Sequence, residues 1–154
     1  MYKLLIMDVD GTLTDGKIYM GSNGEIMKAF DVKDGYAITK ILPTLGITPI
    51  IITGRESEIV KNRALELNIK HIYQGVHDKL SVLKQIVGQM EYKLDDVIYI
   101  GDDINDLPCL KAAGFSACPA DAADEIKNVC TYVCRNKGGC GAVRELINEI
   151  SILL

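Results

Sequence analysis

The sequence predicts an α/β fold: a doubly wound, Rossmann-like parallel sheet with helices on both faces, a small β-hairpin inserted after the first strand, and no cap domain. Three observations lead there. Short apolar runs alternate along the chain with segments whose apolar residues recur at helical spacing, the pattern of buried parallel strands joined by helices. The polar motifs stand directly after those runs, where open α/β sheets bind their ligands. The chain has 154 residues, which suits one such domain.

The elements follow in order. Leu4-Leu5-Ile6-Met7 is an apolar run halted by Asp8 and Asp10, as a buried strand would be. Ile18–Met20 and Ile26–Phe30 flank Gly21-Ser22-Asn23-Gly24, a turn-rich spacer suited to a hairpin. Ala37, Ile38, Ile41, Leu42 and Leu45 recur at helical spacing, and Gly46 closes that helix. Pro49-Ile50-Ile51-Ile52 is the second core strand and ends at Thr53-Gly54. Ile59, Val60, Arg63, Ala64 and Leu67 mark a helix, Ile69–Tyr73 a weaker strand, and Leu80, Leu83, Ile86, Val87 and Met90 the next helix. Val97–Ile100 is the fourth core strand and runs into Gly101-Asp102-Asp103. Asp106–Ala113 reads as a helix stopped by Gly114, Phe115–Cys118 as a fifth strand, and Ala122–Val129 and Val143–Leu154 as closing helices. Units of this length join by right-handed crossovers into a parallel sheet covered on both faces. No repeat or linker interrupts residues 1–154, so a single domain is expected.

Composition narrows the function. At 48% hydrophobic and 25% charged residues, the chain is neither disordered nor of low complexity. Its 17 basic against 21 acidic residues, a net charge of -4, argue against nucleic acid as a partner. No apolar run approaches the roughly 18–20 residues that span a bilayer, so no membrane partner is expected. The start meets Asp8 and Asp10 too soon for a signal peptide, so a cytoplasmic location is expected. The five cysteines are odd in number and form no Cys-x-x-Cys pair, which speaks against a disulfide set or structural zinc; buried or tail thiols are expected.

Asp8 and Asp10 stand two apart on an extended segment, so both carboxylates lean to one face. Asp102 and Asp103 end another strand, with Asp106 one turn later. Adjacent strands bring these acids together, and carboxylates sharing a cleft repel one another unless a cation relieves them. Magnesium suits carboxylate, carbonyl and water oxygens, and the motif strands lack the His and Cys that zinc prefers. The Thr53 hydroxyl, the Gly54 N–H and the Lys79 ammonium can bind the remaining oxygens of a phosphate. Together the set describes phosphoryl transfer to a carboxylate. Asp8 attacks phosphorus while the metal and Lys79 offset the repulsion between two anions. Asp10 protonates the leaving oxygen and then takes a proton from the water that hydrolyses the aspartyl-phosphate.

Asp8-Val9-Asp10-Gly11-Thr12-Leu13-Thr14-Asp15-Gly16, Thr53-Gly54-Arg55, Lys79 and Gly101-Asp102-Asp103-Ile104-Asn105-Asp106 resemble the four motifs of the haloacid dehalogenase superfamily phosphatases. Asn23-Gly24-Glu25, Lys28-Ala29-Phe30, Asp34-Gly35-Tyr36, Tyr73-Gln74-Gly75 and Gly138–Glu145 extend the resemblance to the 3-deoxy-D-manno-octulosonate 8-phosphate phosphatase family. The resemblance implies Asp8 as nucleophile, Asp10 as acid/base, and magnesium held by Asp8, the Asp10 carbonyl and Asp102. It implies phosphate contacts from Thr53, Gly54 and Lys79, and supporting roles for Asp103, Asn105 and Asp106. It also implies a phosphorylated 2-keto-3-deoxy sugar acid as substrate, used in lipopolysaccharide biosynthesis. Only the Gly16–Phe30 hairpin and the segment between Gly54 and Lys79 are available as insertions, so the chain resembles the capless subgroup. That subgroup implies a homotetramer in which the hairpins cover neighbouring sites.

Substrate choice rests on further residues. A guanidinium at Arg55, beside Thr53-Gly54, can bind a substrate carboxylate bidentately. The resemblance implies that Arg55 and Arg63 select the eight-carbon acid, since nine-carbon phosphatases of this type tend to carry glutamate at the Arg55 position. Asn105, Asp34 and Gly35 complete the expected substrate set. Thr39 departs from the pattern, standing where the family commonly has arginine, and Lys40 lies about 100° further round the helix. Tyr19, Tyr36 and Tyr99 are expected to pack, and His71 and His77 to lie at the surface or a strand end. Two rivals remain in view. A nine-carbon keto-deoxy acid phosphatase would use the same chemistry. A receiver-like signalling domain would need a phospho-acceptor after the third strand, where this chain has Gln74-Gly75, and would not place Asp10 beside a long-lived acyl phosphate.

Overall fold

The computed structural model describes residues 1–154. In order the chain forms β1 (Leu4–Met7), the hairpin strands β2 (Tyr19–Gly21) and β3 (Gly24–Met27), α1 (Val32–Tyr36), β4 (Thr48–Ile52), α2 (Glu58–Glu66) and β5 (His71–Tyr73). It continues with α3 (Lys79–Gln89), β6 (Val97–Ile100), α4 (Leu107–Ala112), β7 (Phe115–Cys118), α5 (Asp124–Lys127), β8 (Tyr132–Val133) and α6 (Ala142–Leu153). The main sheet has six strands in the order β5-β4-β1-β6-β7-β8, and every pairing in it is parallel. The chain winds outward from β1 through β4 to β5, returns to the other side of β1, and winds out through β6 and β7 to β8. That reversal puts a switch point beside β1, where doubly wound sheets open a crevice.

Alternation along each strand feeds two cores. Leu5 and Met7 of β1, Ile51 of β4 and Ile98 and Ile100 of β6 face one side, with Val60 and Ala64 of α2 and Leu146 and Ile150 of α6. Leu4 and Ile6, Ile50 and Ile52, and Val97 and Tyr99 face the other, with Leu83 and Ile86 of α3 and Leu110 of α4. The central strands are buried on both faces, which is why they read as unbroken apolar runs. Side-chain caps start three helices: Asp31 accepts from the Lys33 N–H, Ser57 from Val60 and Asp78 from Ser81.

The expected single helix over residues 37–45 is instead α1 followed by a π-helical turn (Ala37–Ile41) and a 3₁₀ turn (Leu42–Leu45). Pro43 lacks the N–H that a continuing α-helix needs, so the register changes there. The helix expected over Ala122–Val129 shortens to α5, and β8 is a two-residue strand without an apolar run of its own. No helix is long and apolar enough to cross a membrane.

Candidate active site

The carboxyl ends of β1, β4 and β6 open onto a cleft of about 200 Å³ that brings together Asp8, Asp10, Thr53, Gly54, Arg55, Asp102, Asp103 and Asn105. The loop after β1 turns through Gly11 at φ +88°, and a Cβ there would stand 2.0 Å from Asp102 Oδ2. Only glycine lets the two motif loops close so tightly. From below, Gly138 backs this loop: a Cβ on it would meet the Gly11 carbonyl oxygen at 1.9 Å. The distant Gly138-Gly139 stretch thus supports the first motif.

Beneath the cleft lies a buried ion cluster. The Lys79 ammonium donates to Asp8 Oδ1 at 2.9 Å and to Asp106 Oδ1 at 2.7 Å, with 1% of its side chain exposed. Asp106 Oδ1 also accepts from the Tyr99 hydroxyl at 2.7 Å, while Oδ2 accepts from the backbone N–H groups of Asp102 and Asp103. Both Asp106 oxygens are therefore engaged, which makes this residue an anchor for Lys79 and for the Asp102 loop. Thr12 donates its hydroxyl to Asp102 Oδ1. Burial pushes the Asp8 and Asp102 carboxyls up, and the neighbouring carboxylates add to the effect. For Lys79, burial works to lower the ammonium, but Asp8 and Asp106 outweigh it and hold it above its ordinary value. Tyr99 is raised by burial and by Asp106, so it stays a hydrogen-bond donor.

The charges test whether a metal fits. Asp8, Asp102 and Asp106 offer oxygens within 4.8 Å of one another, against the single ammonium of Lys79. Ionised together, the three carboxylates would outnumber the one ammonium by two charges, and it is this crowding and burial that push Asp8 and Asp102 up. Asp106 is saturated by its own donors, so Asp8 and Asp102 hold the oxygens that a hard divalent cation would take. The donor set is all oxygen, and it fits magnesium.

A second network, absent from the sequence expectations, reaches the cleft at Asp10 and Arg55. Lys28, just after β3, pairs with Asp10 Oδ1 and, at 3.0 Å, with Glu25 Oε2. Glu25 accepts from the Ser57 hydroxyl and from Arg55 Nη2 at 3.4 Å. Burial opposes ionisation of Glu25, yet Ser57 and Lys28 hold its carboxyl below the ordinary range. Gln74 grips both the N–H and the carbonyl of Ser57. Arg55 thus stands at the cleft half-exposed and leaning on Glu25.

Besides Lys79, which lies buried among Asp8 and Asp106, three expected substrate residues do not line this cleft. Asp34 is 2% exposed and accepts the Arg144 N–H at 2.8 Å, serving the uncapped start of α6. Arg63 lies over the Phe30 ring, pairs with Glu66, and sets its Nη2 against Gly35. Both Arg63 and Gly35 line a separate surface concavity with Thr39. Thr39 donates to the Gly35 carbonyl and Lys40 is exposed, so neither supplies a cleft cation. Of the three tyrosines expected to pack, Tyr99 is fully buried, whereas Tyr19 and Tyr36 are exposed, the Tyr36 ring lying under the Arg144 guanidinium. His77 is exposed and His71 half-buried on β5. All five cysteines are free.

Comparison with known proteins gives four findings. Residues 68–147 match the family model of haloacid dehalogenase-like hydrolases. The chain is 45% identical over 148 residues to the 3-deoxy-D-manno-octulosonate 8-phosphate phosphatase of Yersinia pestis, an alignment covering 96% of this chain and 79% of that protein. The crystal structure of a Yersinia pestis enzyme of that name superposes with a TM-score of 0.94, covering 98% of this chain and 81% of that one. The Moraxella catarrhalis phosphatase of the same name, solved with magnesium ion, phosphate ion and KDO, superposes with a TM-score of 0.93 at 42% identity, covering 97% of this chain and 85% of that one.

Proposed function

The chain belongs to the haloacid dehalogenase-like hydrolases, and from that premise we propose that it is a magnesium-dependent phosphatase hydrolysing 3-deoxy-D-manno-octulosonate 8-phosphate through an aspartyl-phosphate. The observation that carries the reading is the buried Asp8–Lys79–Asp106 cluster beneath a cleft that also holds Asp10, Thr53 and Asp102.

Asp8 is the nucleophile: its carboxylate bonds to Lys79 through Oδ1 and lines the cleft floor. Lys79 fixes that carboxylate and lowers the cost of bringing a dianionic phosphate to it. The Thr53 hydroxyl and the Gly54 N–H stand across the cleft and hold phosphate oxygens. Asp8 and Asp102, with the Asp10 carbonyl, would hold a magnesium ion, which when bound would supply positive charge beside the phosphate. As the Asp8–phosphorus bond forms and the ester P–O bond breaks, Asp10 gives its proton to the departing sugar oxygen. Asp10, now a carboxylate, takes a proton from a water that attacks phosphorus, and Asp8 and inorganic phosphate are released. Arg55 receives the substrate carboxylate, for which it must loosen its long contact with Glu25.

The same reading includes a homotetramer working in the cytoplasm on a precursor of lipopolysaccharide. Tyr19, Met20, Ile26 and Met27 leave the hairpin with an exposed apolar surface, which supports its burial against a second copy. The test of the function is phosphate release from eight-carbon and nine-carbon 2-keto-3-deoxy acid phosphates, with magnesium and with excess chelator. The reading requires turnover of the eight-carbon substrate that stops in chelator. A preference for the nine-carbon substrate would overturn the assignment of Arg55, and metal-independent turnover would overturn the mechanism.

A further inference from the structure

Lysine is almost never fully buried without a partner, yet the Lys28 side chain is 0% exposed. Its ammonium lies between two carboxylates, Asp10 Oδ1 and Glu25 Oε2. Glu25 is itself fixed, since Oε1 accepts from the Ser57 hydroxyl and Oε2 from Arg55. Ser57 is held in turn by the Gln74 side chain, which bonds both its N–H and its carbonyl. A continuous polar chain therefore runs from the end of β5, through the start of α2 and the hairpin strand β3, to one oxygen of Asp10. The other oxygen, Oδ2, has no hydrogen-bond partner in the chain, and Asp10 lines the cleft. Without the ammonium, an Asp on a loop is free to change rotamer.

We propose that Lys28 is the positioning residue of Asp10: it ties down Oδ1 so that Oδ2 is the oxygen presented to the leaving group. Lys28 touches Asp10 and not the substrate, so it acts through the acid/base residue. The proposal rests on the reading of Asp10 as proton donor in a phosphatase. A misplacement of about 1 Å can cost on the order of 10²-fold in rate, and only steps that need the Asp10 proton would feel it.

That selectivity supplies the test. Sugar phosphates lose a poor alkoxide leaving group that needs a proton, whereas p-nitrophenyl phosphate loses a phenolate that departs largely unaided. Wild type, Lys28→Gln and Lys28→Arg are compared by kcat/KM on 3-deoxy-D-manno-octulosonate 8-phosphate and on p-nitrophenyl phosphate. Lys28→Gln should lose on the order of 10-fold or more on the sugar phosphate, a fraction of the roughly 10²–10⁴-fold that acid/base catalysis supplies, and several-fold less on the aryl phosphate. Lys28→Arg, which keeps the charge, should recover most of the difference. Equal losses on the two substrates, no loss, or an arginine variant no better than glutamine would overturn the proposal. Should Lys28→Gln fail to fold, Lys28→Met, which keeps the stem and removes the charge, is judged by the same ratio of losses. A wild-type chain that releases phosphate from neither substrate refutes the phosphatase reading itself. A wild type active on both, with uniform losses in the variants, refutes only the role of Lys28.

Discussion

Replacing Lys79 by methionine tests the buried cluster directly. Methionine approximates the length and volume of the lysine stem, so the change removes a charge more than it opens a cavity. The ammonium lies 2.9 Å from Asp8 Oδ1 and 2.7 Å from Asp106 Oδ1, with 1% of the side chain exposed. Removing one partner of a buried pair costs about 3–5 kcal/mol, because the remaining charge is left without compensation. Here two carboxylates are left, so Lys79→Met should lose that much in urea unfolding at neutral pH without magnesium. Adding Asp106→Asn removes one stranded charge, and the double variant should be less destabilised than the two single losses summed. Magnesium, binding the folded chain alone, should return about 2.7 kcal/mol at 100 times its dissociation constant. Turnover should fall on the order of 10²–10³-fold, the usual worth of one preorganised donor at a reacting anion. A metal-free Lys79→Met chain within about 0.5 kcal/mol of wild type, the range of a neutral surface change, would show that the cluster is not the charge-coupled unit described.

Three further predictions concern other parts of the molecule. Burial of Asp34, partly opposed by the Arg144 N–H it accepts, pushes its carboxyl from 3.8 to about 6; the folded chain keeps this proton after the unfolded chain has lost it, so the stabilisation is whole below 3.8 and lost as pH rises through 6. That loss is about 3 kcal/mol, and Asp34→Asn, which keeps an acceptor for Arg144 without titrating, should gain on wild type in urea stability between about pH 4 and pH 7; parallel stability curves would refute it. Gly138→Ala places a Cβ 1.9 Å from the Gly11 carbonyl, so the first motif loop must shift, and kcat should fall on the order of 10²-fold in a chain that still melts cooperatively; unchanged kcat would show that the loop is not so supported. Ile18→Asp should dissociate the proposed tetramer in light scattering and slow sugar-phosphate turnover more than aryl-phosphate turnover, and a fully active wild-type monomer would contradict the covering role of the hairpin.

The sheet was legible because β1, β6 and the Ile50–Ile52 part of β4 are buried on both faces and so appear as unbroken apolar runs. Asp8, Thr53 and Asp102 were legible for a related reason: Asp8 and Thr53 directly follow such runs and Asp102 follows one after Gly101, and parallel strands carry their ends to one edge. Lys28 was not, because its partner Asp10 lies 18 positions earlier across the hairpin, and nothing local separates it from a solvated lysine. Tyr99 looked like a packing residue because it is one; its hydroxyl bond to Asp106 depends on which face of β6 it takes. Asp34 and Arg63, expected at the substrate, lie outside the cleft of their own chain. Both are polar residues near apolar helix positions, and the fold uses them to start α6 and to cover Phe30. The change of helical register at 37–45 follows from Pro43, whose effect on the preceding turns depends on packing that periodicity does not show.

In the proposed reaction the carboxylate of Asp8 attacks phosphorus. The most direct measurement of that attack is chemical trapping: the chain is mixed with the octulosonate 8-phosphate and magnesium, quenched in acid during turnover, and reduced with borohydride. Peptide mass spectrometry then reads the result, since reduction converts an acyl phosphate on aspartate to homoserine. Homoserine is expected at position 8 and nowhere else, dependent on substrate, and none in Asp8→Asn. Active turnover with an unmodified Asp8, or homoserine at position 10 or 102, would contradict it.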